Sequence, residues 1–315
     1  MLSVILPAFN EEKMIETAAV TISKILTDEQ IEHEIIFIDD GSKDKTWEKI
    51  ELTAASMPQI RGLHFSRNFG KEAAMFAGLE NCEGDCCVVL DCDLQHPPEK
   101  IVEMYRLWEQ GFEVVEGIKD DRGEETSAHK FAANTFYSII SKATGLDMEN
   151  ASDFKLLDRK VVDTLNNMPE RKVFFRALSY WAGYKKTSVT YSVRPRQAGE
   201  SKWSTKSLIK YAITNITSFS SAPLDLIPIL GVVMLAISFI FSIITLMQKI
   251  AGVATEGFTT VIILMMFGFS LVMISVGIIA YYVGSVYEEV KGRPRYIISS
   301  KTEAPKRKST FLNTK

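Results

Sequence analysis

Two long uncharged segments in the C-terminal third constrain the fold of this chain most strongly. Residues 226–247 provide 22 consecutive positions without a formal charge, and residues 257–287 provide 31. About 20 helical residues cross the hydrocarbon core of a bilayer. Because residues 248–256 are too few for more than a turn, the segments predict a hairpin of two transmembrane helices, at about 226–247 and 258–284. The alternative is a buried helical hairpin inside a large soluble core.

Lys and Arg residues are concentrated outside the turn of this hairpin. Lys202, Lys206 and Lys210 precede the first helix, and from Glu288 onward the chain carries eight Lys and Arg residues against three acids. The turn itself contains one Lys and one Glu. Positive charge is retained on the cytoplasmic side of membranes. We therefore expect a multi-pass protein of the cell membrane, with both termini in the cytoplasm and a basic cytoplasmic tail over 288–315, disordered beyond residue 299.

The chain before the hairpin alternates short apolar runs with amphipathic segments. The apolar runs predict strands and the amphipathic segments predict helices, with strands at 3–6, 34–38, 62–65, 86–90 and 113–117, and helices at 12–26, 45–56, 71–82 and 98–110. This alternation predicts an α/β fold with a mostly parallel sheet and helices on both faces. Ligands of such sheets bind beyond the carboxyl ends of the strands.

A further helix is predicted between the α/β domain and the hairpin. Residues 207–219 mix apolar side chains with Lys and small polar residues, as in a helix that lies on a membrane surface. An ordinary packed helix is the alternative. The predicted organisation is thus an α/β domain over 1–203, a membrane-surface helix over 204–222, two transmembrane helices within 223–287, and the tail.

The four cysteines of the chain all lie between residues 82 and 92. A zinc site needs suitable pair spacing and further ligands, and only His96 is near in sequence. We therefore predict reduced cysteines that are packed around a cytosolic strand.

The segment Asp91-Cys92-Asp93-Leu94-Gln95 follows the fourth predicted strand. Alternate residues of an extended chain point the same way, so Asp91, Asp93 and Gln95 can present three oxygens to one hard cation. Mg²⁺ and Mn²⁺ prefer such oxygen ligands together with those of a phosphate. The segment therefore predicts a metal site that handles a nucleotide diphosphate, with acids in a solvated turn as the alternative.

Polar residues also follow the first three predicted strands, in the runs 7–12, 39–44 and 66–71. Asn10 or Glu11 could equally cap the following helix. Asp39, at the end of a strand, is placed to accept hydrogen bonds from a base or a ribose hydroxyl, although a turn without a ligand would look the same. Four such motifs at successive strand ends indicate one shared site.

Together with Arg196-Gln197-Ala198-Gly199-Glu200-Ser201-Lys202-Trp203, these motifs make residues 1–203 resemble a family 2 glycosyltransferase of the GT-A fold. With the hairpin included, the chain more narrowly resembles the polyprenyl-phosphate glycosyltransferases. That group includes dolichyl-phosphate mannose synthase and bacterial undecaprenyl-phosphate glucosyltransferases.

The resemblance implies roles for individual residues. The residues expected to surround the nucleotide are Pro7, Phe9, Glu11, Asp39, Asp40 and Lys71. Asp91 and Asp93 would bracket the metal of the diphosphate with Gln95, and Cys92 replaces the alanine usual between the two acids.

Basic residues further along the chain are implied to bind phosphates. Lys119, Arg122 and Lys130 correspond to the cations that follow the fifth strand, and each could instead be a solvated cation. Arg196 and Lys202 would fold over the donor diphosphate and reach the acceptor phosphate, with a juxtamembrane positive cluster as the alternative.

The predicted reaction is an inverting transfer of one sugar from a nucleotide sugar to polyprenyl (undecaprenyl) phosphate at the cytoplasmic face of the membrane. UDP-glucose is the first choice of donor, followed by UDP-N-acetylglucosamine and GDP-mannose. The predicted catalytic residues are Asp93, Asp153, Arg196 and Lys202, with Mg²⁺ or Mn²⁺ as cofactor. Asp153 would position the acceptor or a sugar hydroxyl, or would pair with Arg159 or another cation.

Two other functions remain open. A processive polysaccharide synthase usually carries a Gln-x-x-Arg-Trp motif and more membrane helices. A non-catalytic scaffold or flippase subunit would leave the aligned acids without a role. Contact with membrane lipids and assembly into a homo-oligomer are expected, and a nucleic-acid partner is not.

Overall fold

The computed structural model describes residues 1–120, 152–168, 170, 174–192, 222–252 and 257–302. These residues belong to two compact units. The first unit, called here the catalytic unit, contains the described residues up to 192 together with 294–302. The second unit contains residues 222–252 and 257–293 of the described chain.

The catalytic unit is built on one mixed sheet of eight strands. The strands are β1 (Leu2–Ala8), β2 (His33–Asp39), β3 (Ile60–Phe65), β4 (Cys86–Val89), β5 (Val114–Lys119), β6 (Lys155–Asp158), β7 (Lys186–Tyr191) and β8 (Ile298–Lys301). Their order across the sheet is β7-β5-β6-β4-β1-β2-β3-β8. β4, β1, β2 and β3 run parallel, as do β5 and β7, whereas β6 and β8 are antiparallel to their neighbours. The predicted α/β class and all five predicted strands are confirmed.

Helices follow most of the strands. They are α1 (Ile15–Asp28), α2 (Thr46–Ser56), α3 (Lys71–Asn81), α4 (Lys100–Glu109), α5 (Arg159–Asn166) and α6 (Phe175–Trp181). α1 shows why the periodicity was informative: Ile15, Ile22 and Leu26 are fully buried on its inner face. Each such side chain contributes about 1.5–3 kcal/mol relative to an exposed one.

The C-terminal segment differs from the expected disordered tail. Residues 298–301 form β8, which pairs antiparallel with β3 at the edge of the sheet. The pairing continues at Thr302, whose N–H donates to the carbonyl of Gly62 at 3.0 Å. The prediction was wrong at residues 300–302, because β8 is short and polar and is stabilised by an open sheet edge rather than by an apolar pattern of its own. Residues 303–315 lie outside the described chain.

The second unit contains two long helices, α7 (Ala222–Ile250) and α8 (Phe258–Val290). Their apolar spans cover Pro223–Ile250 and Thr260–Val290, with mean hydropathy of 2.7 and 2.6. Neither span is buried inside the protein, and side chains such as Leu235 and Phe269 are about two-thirds exposed. A soluble protein rarely exposes so large an apolar surface. The exposure contradicts the alternative of a buried soluble hairpin.

All four cysteines are buried and none forms a disulfide. This agrees with the expected reduced thiols around β4.

Gly41 generates a prediction about stability. Its φ of +65° is unfavourable for other residues, and a Cβ there would lie 2.4 Å from the carbonyl carbon of Arg67. Gly111 also has a positive φ, of +89°, but nothing lies within 4 Å of its Cβ position. We expect Gly111→Ala to cost about 1–2 kcal/mol from backbone strain alone. We expect Gly41→Ala to cost at least about 1 kcal/mol more, because the loop after β3 must also shift. Thermal unfolding in detergent measures both, and equal losses would contradict the close approach.

Candidate active site

The loops that follow β1 and β2 are joined by hydrogen bonds at the carboxyl edge of the sheet. The N–H of Asn10 donates to Ser42 Oγ at 2.8 Å, and Asn10 Oδ1 accepts from the N–H of Lys43 at 2.9 Å. The N–H of Glu11 donates to Thr46 Oγ1 at 2.9 Å. α1 begins later, after Met14, and has no side-chain cap. Asn10 therefore fixes a neighbouring loop instead of capping the helix.

Asp39 and Asp40 are buried; Asp39 holds the loop after β2, and Asp40 holds the loop after β3. Asp39 Oδ1 accepts from the N–H of Ser42 at 3.0 Å, and its Oδ2 lies 2.7 Å from Nδ1 of His64. Asp40 accepts from the N–H groups of Phe69 and Gly70 at 2.6 and 2.9 Å. Burial raises the pKa of Asp40. Contact of either carboxylate with a nucleoside stays a prediction, and the structure shows both as supports of the loops.

The other residues expected near the nucleoside are more accessible. Phe9 follows the last residue of β1 and is 38% exposed, whereas Pro7 and Glu11 are partly buried. β1 pairs with β2 on one side and with β4 on the other. The chain order reverses at this point, which is where open α/β sheets bind their ligands. Phe9 and Asp91 follow the two strands that border this crevice.

The metal-site segment is a turn, not the end of an extended strand. β4 ends at Val89, and Leu94 has a φ of +55°. Burial nevertheless alternates: Cys92 and Leu94 are buried, while Asp91, Asp93 and Gln95 are partly exposed. The expectation of an extended segment was wrong, and the joint contact of Asp91, Asp93 and Gln95 with one cation stays a prediction. Two carboxylates and an amide suit a hard cation that takes its other ligands from a phosphate.

The described chain offers no alternative metal site with more ligands. The described residues contain no cluster of three or more His, Cys, Asp and Glu side chains arranged to hold a metal ion. The carboxylate of Asp93 also accepts from the N–H of Gln95 at 3.1 Å, which fixes the turn.

Lys71 joins two of the candidate carboxylates. Its Nζ lies 2.6 Å from Asp91 Oδ1 and 3.0 Å from Asp153 Oδ2. Burial disfavours the charge of Lys71, but the two carboxylates outweigh burial and raise its pKa above the usual value. Burial alone would raise the pKa of Asp91, but the positive charge of Lys71 outweighs burial and lowers that pKa.

Arg176 holds the other side of Asp153. Its Nε lies 2.7 Å from Asp153 Oδ1, and its Nη2 lies 2.9 Å from Oδ2. Burial would raise the pKa of Asp153, but Arg176 and Lys71 hold it well below its usual range. Asp153 is thus a permanent carboxylate with cations on both oxygens. Arg159, the named alternative partner, instead donates to the carbonyl of Gly84.

A buried charged pair supports the strand that follows Asp153. Lys155 Nζ lies 3.0 Å from Glu116 Oε1 and 2.6 Å from Ser179 Oγ, and Lys155 is fully buried. Glu116 also accepts from the N–H of Ser152 at 3.0 Å. Burial lowers the pKa of Lys155. The pair fixes β5, β6 and α6 together immediately beside Asp153.

Three aromatic rings pack against one another next to the candidate residues: His96 follows Gln95, Phe154 follows Asp153, and Tyr191 ends β7. The centroid of His96 lies 5.1 Å from that of Phe154 and 5.4 Å from that of Tyr191. Among the residues that the structure describes, His96 Nδ1 is buried and has no hydrogen-bond partner. Burial lowers the pKa of His96, so the ring is neutral near pH 7. Lys119, opposite Tyr191 in the β5–β7 register, is exposed, and its contact with a phosphate stays a prediction.

The remaining candidate residues lie outside the described chain. These are Arg122, Lys130, Arg196 and Lys202, together with residues 204–221 of the membrane-surface helix predicted over 204–222; its last residue, Ala222, begins α7.

The sequence model described as glycosyl transferase family 2 matches residues 3–165. This range contains all of the carboxylates described above. The chain belongs to glycosyl transferase family 2. The expected enzyme class, a glycosyltransferase, is thereby confirmed.

Several curated glycosyltransferases are similar to this one along nearly their whole length. An uncharacterized glycosyltransferase of Synechocystis sp. is 37% identical over 300 residues, which cover 95% of this chain and 94% of the relative. A prophage bactoprenol glucosyl transferase homolog of Escherichia coli is 36% identical, with 94% and 98% covered. The bactoprenol glucosyl transferase of Shigella phage SfX is 35% identical, with 95% and 99% covered.

One residue that contacts a predicted catalytic acid, Arg176, was not predicted from the motifs of this glycosyltransferase. Arg176 lies beyond residue 165, where the family 2 match ends, and no short motif precedes it. Its position at the start of α6 becomes significant only when the fold brings that helix to Asp153. The signal is a partly buried Arg in contact with a predicted catalytic acid, and only the structure provides it.

Glu72 predicts a pH dependence of stability for this glycosyltransferase. It accepts from the N–H of Phe175 at 2.9 Å, and burial, followed by the charge of Asp153, raises its pKa from the usual 4.5 to about 7. The folded protein therefore retains a proton that the unfolded chain releases, and stability falls as the pH rises from 4.5 through 7.

Glu72→Gln keeps an acceptor for Phe175 and removes this titration. We expect the melting temperature of the variant to rise relative to wild type between about pH 5 and about pH 8. Glu51→Gln, at an exposed position of α2, is the control and should track the wild type. Parallel curves for all three proteins would show that Glu72 does not titrate in this range.

Proposed function

We propose that this glycosyltransferase transfers a single sugar, with inversion, from a nucleotide sugar to a polyprenyl phosphate at the cytoplasmic face of the membrane. The observation that carries the proposal is the similarity to bactoprenol glucosyl transferases, which spans 94% or more of this chain and therefore includes the hairpin. Those names also favour glucose as the sugar. UDP-glucose is the proposed donor.

The nucleotide is proposed to bind in the crevice between the carboxyl ends of β1 and β4. Phe9 offers an exposed ring on one side, and the turn with Asp91 and Asp93 offers carboxylates on the other. The linked loops after β1, β2 and β3 form a fixed floor. Such fixed polar groups bind without reorganisation, which favours binding and catalysis.

Asp91, Asp93 and Gln95 are proposed to hold a divalent cation, Mg²⁺ or Mn²⁺. When bound, that cation supplies Lewis acidity to the departing diphosphate. Lys71, on the same carboxylate edge, places a second positive charge close to the leaving group. Its raised pKa keeps it protonated throughout the physiological range.

Asp153 does not act as a general base in this proposal. Its low pKa and its contacts with Lys71 and Arg176 leave it anionic. The reaction does not require a strong base, because a phosphate acceptor is already anionic near neutral pH. Asp153 instead orients the Lys71 ammonium, while the acceptor oxygen attacks the anomeric carbon opposite the leaving diphosphate. Arg196 and Lys202 are proposed to offset repulsion between the two anionic substrates.

The membrane helices are proposed to bring the enzyme to its lipid substrate. A polyprenyl chain does not leave the bilayer readily, because each methylene exposed to water costs about 0.8 kcal/mol. The catalytic unit contains residues from both sides of the hairpin, which agrees with two crossings and with both termini in the cytoplasm. Gly268, Gly277 and Gly284 leave open space on α8, which suits close helix contacts in a homo-oligomer.

The direct test is a screen of nucleotide sugars with the purified full-length protein and undecaprenyl phosphate. We expect UDP-glucose to give a lipid product that carries one hexose by mass spectrometry, with β anomeric configuration from the α-linked donor. A reaction without the lipid is the control. Transfer from none of the sugars tested, or a polymeric product, would contradict the proposal.

The metal proposal predicts the effect of Asp93→Asn. Loss of one carboxylate should reduce transfer at least about 100-fold, the effect of removing one electrostatic contact to a developing charge. It should also weaken Mn²⁺ binding, measured by electron paramagnetic resonance without substrates. Asp28→Asn, at an exposed position at the end of α1, is the matched control. Wild-type Mn²⁺ binding and turnover in Asp93→Asn would remove the metal site from this turn.

A further inference from the structure

Residues 294–302, called here the return segment, follow α8 and contact α3 in its C-terminal half. We propose that the return segment positions Lys71 for catalysis by holding α3, whose first residue is Lys71. The proposal rests on the proposed function, because it gives the segment a role in the same transfer reaction. Its evidence is a set of contacts within the catalytic unit.

Arg295 makes the largest set of these contacts. Its Nε donates to the carbonyl of Glu170 at 3.0 Å, and its Nη2 donates to the carbonyl of Met168. Its guanidinium lies 4.9 Å from the ring centroid of Phe76, and its Nη1 lies 3.9 Å from Glu80 Oε1. Phe76 and Glu80 belong to α3. Arg295 thus joins α3 to the chain that follows α5.

The residues after Arg295 hold α3 and β3 in the same way. The Tyr296 ring stacks on Phe65 at 5.0 Å and 14°, and its hydroxyl donates to Glu80. Lys301 Nζ donates to Asn81 Oδ1 at 3.0 Å. β8 pairs with β3, whose His64 in turn contacts Asp39. The return segment therefore holds both elements that flank the loop leading to Lys71.

α3 carries the effect from the return segment to the site. It is 11 residues long, about 16 Å, with Lys71 and Glu72 at one end and Glu80 and Asn81 at the other. Gly70, the N-cap residue that precedes Lys71, has a φ of +102° and provides no side-chain cap. The inner face packs so closely on β1 that a Cβ at Gly78 would lie 2.3 Å from Ile5. A shift at the C-terminal end of α3 therefore moves the helix as one body and displaces Lys71 from Asp91 and Asp153.

The position of the segment in the chain adds a reason for this coupling. α8 ends at Val290, and only residues 291–293 separate it from the return segment. The end of the second membrane helix is therefore covalently linked, through three residues, to the contacts that hold α3.

The test compares Arg295→Met with Arg106→Met, which removes an Arg from an exposed ion pair on α4. We expect Arg295→Met to lower kcat about tenfold or more with little change in KM for the donor, because small misplacements of a catalytic group cost rate. Arg106→Met should match the wild type. Arg295→Lys, which retains one donor and the charge, should recover part of the loss and covers the case in which Arg295→Met does not fold.

A double-mutant cycle separates positioning from general stability. If the segment acts through Lys71, Arg295→Met should reduce kcat far less in a Lys71→Met background than in the wild type. A full additional loss in the double variant would overturn the proposal, because it would show that Arg295 acts independently of Lys71.

A readout without turnover distinguishes failure of this proposal from failure of the proposed function. Acetylation of Lys71 by an activated ester, followed by mass spectrometry, reports how well its ion pairs protect it, with Lys100 as internal reference. We expect faster labelling of Lys71 in Arg295→Met and in Arg295→Lys to a lesser degree, but not in Arg106→Met. Unchanged labelling would overturn the positioning role even if no donor sugar supports turnover. Lack of turnover in the wild type with altered labelling would overturn only the reaction.

Discussion

The ammonium group of Lys71 is the contact on which the rest of the site depends. It joins the start of α3, the turn after β4 and the residues before β6, which are far apart in sequence. The Lys71 side chain is 42% exposed, so solvent weakens these ion pairs, whereas Asp153 is buried and is also held by Arg176. One charge thus joins three elements at a partly solvated position. Any substitution that moves α3 also changes the distances from Lys71 to the carboxylates of Asp91 and Asp153.

The positive and negative charges of the described site are nearly balanced. The described side chains alone therefore have no excess positive charge with which to bind an anionic ligand. Lys71 and Arg176 are offset by Asp91 and Asp153, and Asp93 adds a further negative charge. Glu72 avoids adding another, since its pKa of about 7 leaves it partly protonated near neutral pH. A nucleotide diphosphate brings more negative charge. Binding it therefore requires additional cations, which is the physical reason to propose a divalent metal at Asp91 and Asp93 and basic side chains from Lys119 onward.

The sequence predicted the parts of the fold that follow from local patterns. The alternation of strands and helices located the sheet, and polar residues after β1, β2, β3 and β4 predicted a site at its carboxyl edge. The sequence alone could not predict the roles of residues whose partners are brought close only by the tertiary fold. Asp39 and Asp40 are buried and accept hydrogen bonds from loop N–H groups, a supporting role that no motif indicated, and their contact with the nucleoside stays a prediction. Arg176 and β8 were missed because neither carries a motif, and both acquire their partners from segments more than 20 residues away.

β8 also adds a constraint on membrane topology that charge counting does not provide. A chain that leaves a folded unit, crosses a bilayer and rejoins the same unit must cross an even number of times. Residues 192 and 294 belong to one unit, and the described chain between them contains two membrane-length helices. For the proposed hairpin, the path of the chain accounts for an even number of crossings, and the distribution of Lys and Arg accounts for the proposed cytoplasmic side. The two arguments are independent, and both support the proposed topology.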